Sequence, residues 1–226
     1  MSPRSTARPL PGREPLPREF IARHQQARII SALAEAVSRK GYADVTVADI
    51  VKRAKVARNT FYGNFASKED CFLAAQRHAT SMALERVVMA AGETDEWPLQ
   101  VEAGLSAFLR YVIEEPDFAR TCMVEALTAG PEAIRCYEES LQTFISLFKL
   151  GRDVSPQAGD LPETMEEALV GGLFWIVHKR LVLDRAETLA ELLPELVEFA
   201  LTPYVGAEAA REVAAGAGLG QVNFGQ

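Results

Sequence analysis

Apolar side chains recur every three to four residues along nearly the whole chain, and no alternating apolar and polar pattern persists long enough to make a strand. In residues 20–38 they fall at Phe20, Ile21, Ala27, Ile30, Leu33, Ala34 and Val37, a single helical stripe that Gly41 closes. Glycine and proline punctuate the rest of the chain. Helices are predicted at 47–54, after the connection Lys55-Val56-Ala57 through Tyr62, and at 68–90. Further helices are predicted from Pro98 to before Pro116, then at 117–129, 131–150, 162–183 and 186–204. The last is expected to kink or break at Pro194, residues 153–160 to form a loop, and the tail from 207 to 226, rich in alanine and glycine, to be poorly ordered. The fold class is therefore all-α, with two domains.

Charge is divided unevenly along this chain. Its net value is −7, yet residues 1–68 carry +8 and the remainder −15. A basic segment on an acidic body is expected where only that segment meets phosphates, although a solvated basic face would give the same count. Residues 1–17 combine five prolines with three arginines and little apolar material, and are expected to form a disordered arm. They lack the apolar stretch of a signal peptide, and the longest apolar run, 168–177, is too short to span a membrane, so a cytoplasmic protein is expected. Cys71, Cys122 and Cys136 show no C-x-x-C spacing, and His24, His78 and His178 sit apart, so no disulfide framework, metal site or cofactor is predicted. Nucleotide-binding and hydrolase fingerprints are missing, and no catalytic residue is assigned.

Two short helices joined by Lys55-Val56-Ala57 make a helix-turn-helix. Thr46 can cap the first, and Val45, Ile50, Val56, Phe61 and Phe65 are spaced to form the small core that crosses one helix over the other. Arg58, Asn59, Thr60 and Tyr62 are left on the outward side of the second helix. Arginine suits a guanine edge and asparagine an adenine edge in the major groove.

The stretch from Val45 through Thr46, the Thr60-Phe61-Tyr62 trio, Phe65 and Ser67-Lys68-Glu69 resembles the DNA-binding signature of TetR-family transcriptional regulators, within a match reaching from Phe20 to about Leu73. Ala57 stands where many members have a serine, and Asn64 where a histidine often precedes the second phenylalanine. The resemblance implies a three-helix DNA-binding domain at residues 18–66 and a larger effector-binding and dimerisation domain at 67–206. It gives Thr46, Tyr62 and Lys68 contacts to the DNA backbone and adds Asn64 to the DNA-binding set. It also implies a homodimeric repressor on a palindromic operator, released by a small molecule, with no membrane partner. A helical ligand-binding or enzymatic protein that keeps the helix-turn-helix only as scaffold is the alternative, and the basic segment with outward Arg58, Asn59 and Tyr62 argues against it.

In the body, Phe108, Tyr111, Phe118, Met123, Phe144 and Trp175 are candidates to line an effector cavity, with plain core packing as the competing use. Such a cavity would take an apolar or amphipathic effector. Gly171 and Gly172 permit close approach of backbones beside Trp175, and Leu189, Leu193 and Leu196 give the last helix an apolar stripe. The resemblance makes these six positions a dimer interface, and burial within the domain is the other reading.

Overall fold

The computed structural model describes residues 18–217. The expected arm at 1–17 and the tail beyond 217 lie outside them. Helix α1 (Arg18–Lys40) ends at Gly41, whose φ of +79° reverses the chain without the crowding that a Cβ would bring. Three helices come next: α2 (Val47–Ala54), α3 (Arg58–Asn64) and α4 (Lys68–Ala91). The body continues with α5 (Trp97–Glu114), α6 (Pro116–Met123), α7 (Pro131–Lys149), the single turn α8 (Gly151–Val154), α9 (Met165–Val182), α10 (Leu193–Val205) and α11 (Ala207–Gly216). Short 3-10 turns occupy Glu125–Leu127, Pro156–Asp160 and Ala186–Leu192, and no strand occurs among the described residues.

Two apolar cores result, and α4 belongs to both. Its first turns send Cys71, Phe72 and Ala75 into a core built by Ile29, Leu33 and Val37 of α1 with Ile50, Phe61 and Phe65. Its later turns send Ala79, Ala83 and Val87 into the core of the body, among α5, α7, α9 and α10. The expected boundary at residue 66 thus falls where α4 begins, but the N-terminal core is sealed by α4 and by Ala133 of α7. A second tie runs through the α1–α2 turn, where the Tyr42 backbone N–H donates to the Glu125 carboxylate at 2.8 Å.

Two expectations change here. Residues 153–160 are a helical turn and a 3-10 turn. The region after 206 carries α11, whose Ala210 and Ala214 are buried as it packs on α10 and α5. Alanine there supplies the strongest helix propensity and lets the helix lie close, where composition had suggested too little material to pack. Pro194 falls in the first turn of α10, preceded by a 3-10 turn, so the last predicted helix is divided where proline's missing N–H costs nothing.

A buried ionic cluster fixes the far end of the body. Glu166 is fully buried and accepts from Arg152 Nε at 2.7 Å, Arg152 Nη2 at 3.0 Å and the Tyr204 hydroxyl at 2.8 Å. Ser155 donates to the Tyr204 carbonyl. The Trp97 ring leans on Tyr204 and lies so close over Gly151 that a Cβ there would sit 2.3 Å from it. The three cysteines are buried and free, and burial pushes the Cys71 thiol up to about 12 and the Cys122 thiol up to about 11.

Candidate nucleic-acid interface and apolar cavity

The α2–α3 unit is held by caps and one central aromatic. Thr46 accepts from the Asp49 backbone N–H at 3.2 Å, and the Asp49 carboxylate accepts from the Thr46 N–H at 3.0 Å, a reciprocal capping box. Hydrogen bonds from the Thr46 hydroxyl and from Lys40 hold the Asp49 carboxyl far below the usual carboxylate range. At the other end of α2, the Arg28 guanidinium reaches across from α1 and donates to the carbonyls of Ala54 and Lys55. Those are orphan acceptors of a helix C-terminus. Nothing local in the sequence marks Arg28 for this, because its partners lie 26 and 27 residues away.

Phe61, fully buried between Phe65 and the underside of Tyr62, fixes how α3 is rotated. That rotation leaves Arg58, Asn59 and Tyr62 exposed and Thr60 half-buried. The Arg58 guanidinium lies 5.7 Å from the Tyr62 ring centroid, and its Nη2 is 3.5 Å from the phenolic oxygen. Ala57, at the N-cap, offers no side-chain cap. Asn64 donates its amide to the Thr60 carbonyl at 2.7 Å and is thereby tied to its own helix.

Lys68 is turned inward. Its ammonium donates to the carbonyls of Tyr42 at 2.8 Å and Val45 at 2.9 Å and lies 4.1 Å over the Tyr42 ring. Desolvation there lowers its pKa. In this arrangement it staples the α1–α2 turn to the start of α4.

A cavity of about 290 Å³ opens between the C-terminal turns of α4, the first half of α5, the end of α7 and the middle of α9. Phe108, Phe144 and Phe174 meet across it with ring centroids 5.4–5.5 Å apart, and Trp97, Val87 and Leu173 complete the apolar wall. Gln100 is its one amide, and that amide already donates to the Thr94 carbonyl at 2.8 Å.

Of the six residues expected to line a cavity, the structure brings Phe108 and Phe144 together there, and four lie elsewhere. Tyr111 is buried one turn further along α5, with the Arg86 guanidinium 5.2 Å from its ring. Phe118 packs against both cores and on His78. Met123 is buried in the body, its carbonyl accepting from His178 Nδ1. Trp175 is 64% exposed and stacks on His178. Phe174, Phe148 and Trp97 are aromatic wall residues that periodicity missed.

Among the interface candidates, Leu189, Leu193 and Leu196 are buried in the chain's own core, so their stripe is consumed inside the molecule and is unavailable to a second copy. Gly171 and Trp175 are exposed, Gly172 is half-buried beneath Phe199, and Phe199 itself is 46% exposed. No helix among the described residues is long and apolar enough to cross a membrane, and no group of three or more metal-ligating side chains occurs among them.

Residues 29–75, the segment from α1 through the first turns of α4, match the family described as bacterial regulatory proteins, tetR family. That segment is a TetR-type helix-turn-helix. An uncharacterised HTH-type transcriptional regulator of Mycobacterium tuberculosis H37Rv is 30% identical over 127 residues, covering 53% of this chain and 56% of that protein. The chain thus spans little more than half the length of the curated relatives it matches. Whole-chain similarity comes from solved structures. The fatty acid degradation regulator FadR of Bacillus halodurans superposes with a TM-score of 0.71 at 17% identity, over 78% of this chain and 94% of its own. A TetR-family regulator of Marinobacter aquaeolei VT8 gives 0.67 at 15%, over 82% and 97%. FadR of Bacillus subtilis, solved in complex with stearoyl-CoA, gives 0.63 at 19%, over 80% and 98%. At these identities the TetR fold is what is shared.

Proposed function

We propose that this chain is a homodimeric transcriptional repressor of the TetR type. Its α3 reads a palindromic DNA operator, and an apolar or amphipathic small molecule entering the α4–α5–α7–α9 cavity releases it. The observation that carries the reading is the split of α3 into a locked inner side, Phe61, and an outer side presenting Arg58, Asn59 and Tyr62. Arginine and asparagine offer the donors and acceptors that distinguish guanine and adenine edges, and Thr46, at the N-terminus of α2, stands where backbone N–H groups favour a phosphate. Thr60 supports the same face, and Asn64 and Lys68 act by holding α3 and the α1–α2 turn in place.

The cavity walls, aliphatic and aromatic with one amide already occupied, support an apolar or amphipathic effector class. Stearoyl-CoA in the B. subtilis FadR structure supports an acyl chain as one such occupant. The face carrying Gly171, Gly172, Trp175 and Phe199 is proposed as the contact with a second copy, since paired recognition helices are what a palindrome requires.

Operator selection from random DNA, followed by binding assays on a base-substituted panel, tests the reading. Wild-type protein is expected to enrich a palindrome whose half-sites lie about 34–36 Å apart or a multiple of that. Arg58→Ala is expected to lose about 1–3 kcal/mol and to relax preference at one base pair in each half-site. An unchanged preference profile with Arg58→Ala would remove Arg58 from readout, and failure to enrich any sequence would remove the function.

A further inference from the structure

We propose that Lys55, in the turn between α2 and α3, grips the sugar-phosphate backbone of the DNA that α3 reads, an assignment that rests on the DNA-binding function above. The backbone of Lys55 is left-handed, with φ 53° and ψ 46°. A side chain there crowds its own carbonyl, and glycine is the residue that takes this conformation without strain. The turn leaves no freedom to escape it, because the Lys55 N–H bonds back to the Lys52 and Val51 carbonyls while its own carbonyl accepts from Arg28 at 3.3 Å. Folding therefore uses only the backbone of this residue. The exposed lysine side chain is carried against the local conformational preference, and strained positions that persist are concentrated at functional sites.

Charge around the turn points to the same ligand. Lys55 lines a concave surface that also carries Arg39, Lys40, Lys52 and Arg53 against the single carboxylate of Asp49. Lys40 is paired with Asp49 at 2.9 Å and Arg53 with Glu35 at 2.6 Å. Arg39, Lys52 and Lys55 have no ion pair among the described residues. Unbalanced like charges repel one another until a polyanion meets them. Lys55 precedes Arg58, the first residue of α3, by only three positions, and both side chains are exposed, so one duplex lying along α3 is the polyanion this proposal assigns to both. Lys68, the lysine that sequence alone favours for a phosphate, is meanwhile occupied by two carbonyls.

The test uses the full chain and a mixed-sequence duplex about three helical turns long, read by fluorescence anisotropy across a salt series, with thermal unfolding of each variant. Lys55→Gly relieves the strain, so its melting temperature is expected to equal or exceed wild type. Its duplex affinity is expected to fall roughly 3- to 10-fold at 0.1 M salt, with the log–log salt slope flattened by about 0.9 per chain. Lys55→Asn, neutral and tolerant of the left-handed region, should behave alike, while Lys55→Arg keeps affinity and slope. Lys149→Ala, on the body, controls for net charge. Lys55→Gly binding with wild-type affinity and slope, while Arg58→Ala still impairs selective binding, overturns the role of Lys55 and leaves the function standing. Equal losses from Lys55→Gly and Lys149→Ala overturn it in favour of a diffuse charge effect. Wild-type protein that fails to bind the duplex at low salt overturns both.

Discussion

Glu166 shows how a single buried carboxylate can hold several elements. Burial raises its pKa, but hydrogen bonds from Arg152 and Tyr204 outweigh that and leave the net shift downward from 4.5. A carboxyl depressed in the folded state stabilises the protein fully above its unfolded value, and that contribution disappears as pH falls through the folded one. Glu166→Gln is therefore expected to cost roughly 1–3 kcal/mol at neutral pH, below the 3–5 typical of fully buried pairs because Arg152 keeps some contact with water. The gap between variant and wild type should close in acid. Urea unfolding at both pH values measures it, and a gap independent of pH would break the link to this carboxyl. The limits of sequence reading are also visible at this scale. Phe174 and Trp175 are neighbours in sequence, yet a helix turns them about 100° apart, which puts one in the cavity wall and the other in solvent. Periodicity identified the stripe but could not fix its rotation against neighbours not yet placed. Leu189, Leu193 and Leu196 failed as interface candidates for the same reason, since an apolar stripe does not say whether its cover comes from the same chain.

Among the elements, α4 has the widest reach. At 24 residues it runs about 36 Å, from the Ser67 cap beside the α1–α2 turn to Val87, Val88 and Ala91 on the cavity wall. An occupant of the cavity thus touches a helix whose other end shares the N-terminal core with Phe61 of α3. Gly104→Phe is expected to fill the space, since a side chain there meets Val87 of α4 at once. Trp97, buried on the same wall, supplies the readout. Titration with fatty acids from octanoic to stearic and with their CoA thioesters should change its fluorescence in wild type and leave the variant unchanged, while the variant still binds DNA. A normal response in Gly104→Phe would place the ligand elsewhere. The helix-turn-helix was legible because its caps, turn and core all lie within one short stretch. The cavity was not, because its wall is assembled from four helices far apart in sequence.

At the scale of the whole molecule, the proposed dimer is what would space two copies of α3. Gly171 faces open space on α9, in line with exposed Trp175 one turn on, while its neighbour Gly172 lies beneath Phe199 of α10. Gly171→Glu consequently leaves the fold of one chain intact and removes a glycine from a helix interior, a change worth up to about 1 kcal/mol in the variant's favour. In a paired face the same charge is buried without a partner. Sedimentation is expected to give dimeric wild type and monomeric, fully helical Gly171→Glu that no longer binds a two-half-site operator. A dimeric variant would move the contact off this face.

The buried thiol of Cys71 bears on how the molecule breathes. It lies inside the N-terminal core, on the helix shared with the body, and as a protonated, water-excluded thiol it is inert while that core is closed. Its modification by an added thiol reagent is therefore a clock for the opening of the N-terminal helix-turn-helix, and Cys122, in the other core, is a second clock for the body. If the two run at one rate, α4 welds the halves into a single cooperative unit. If Cys71 runs faster, the N-terminal end opens alone, and the proposed operator should slow only that clock.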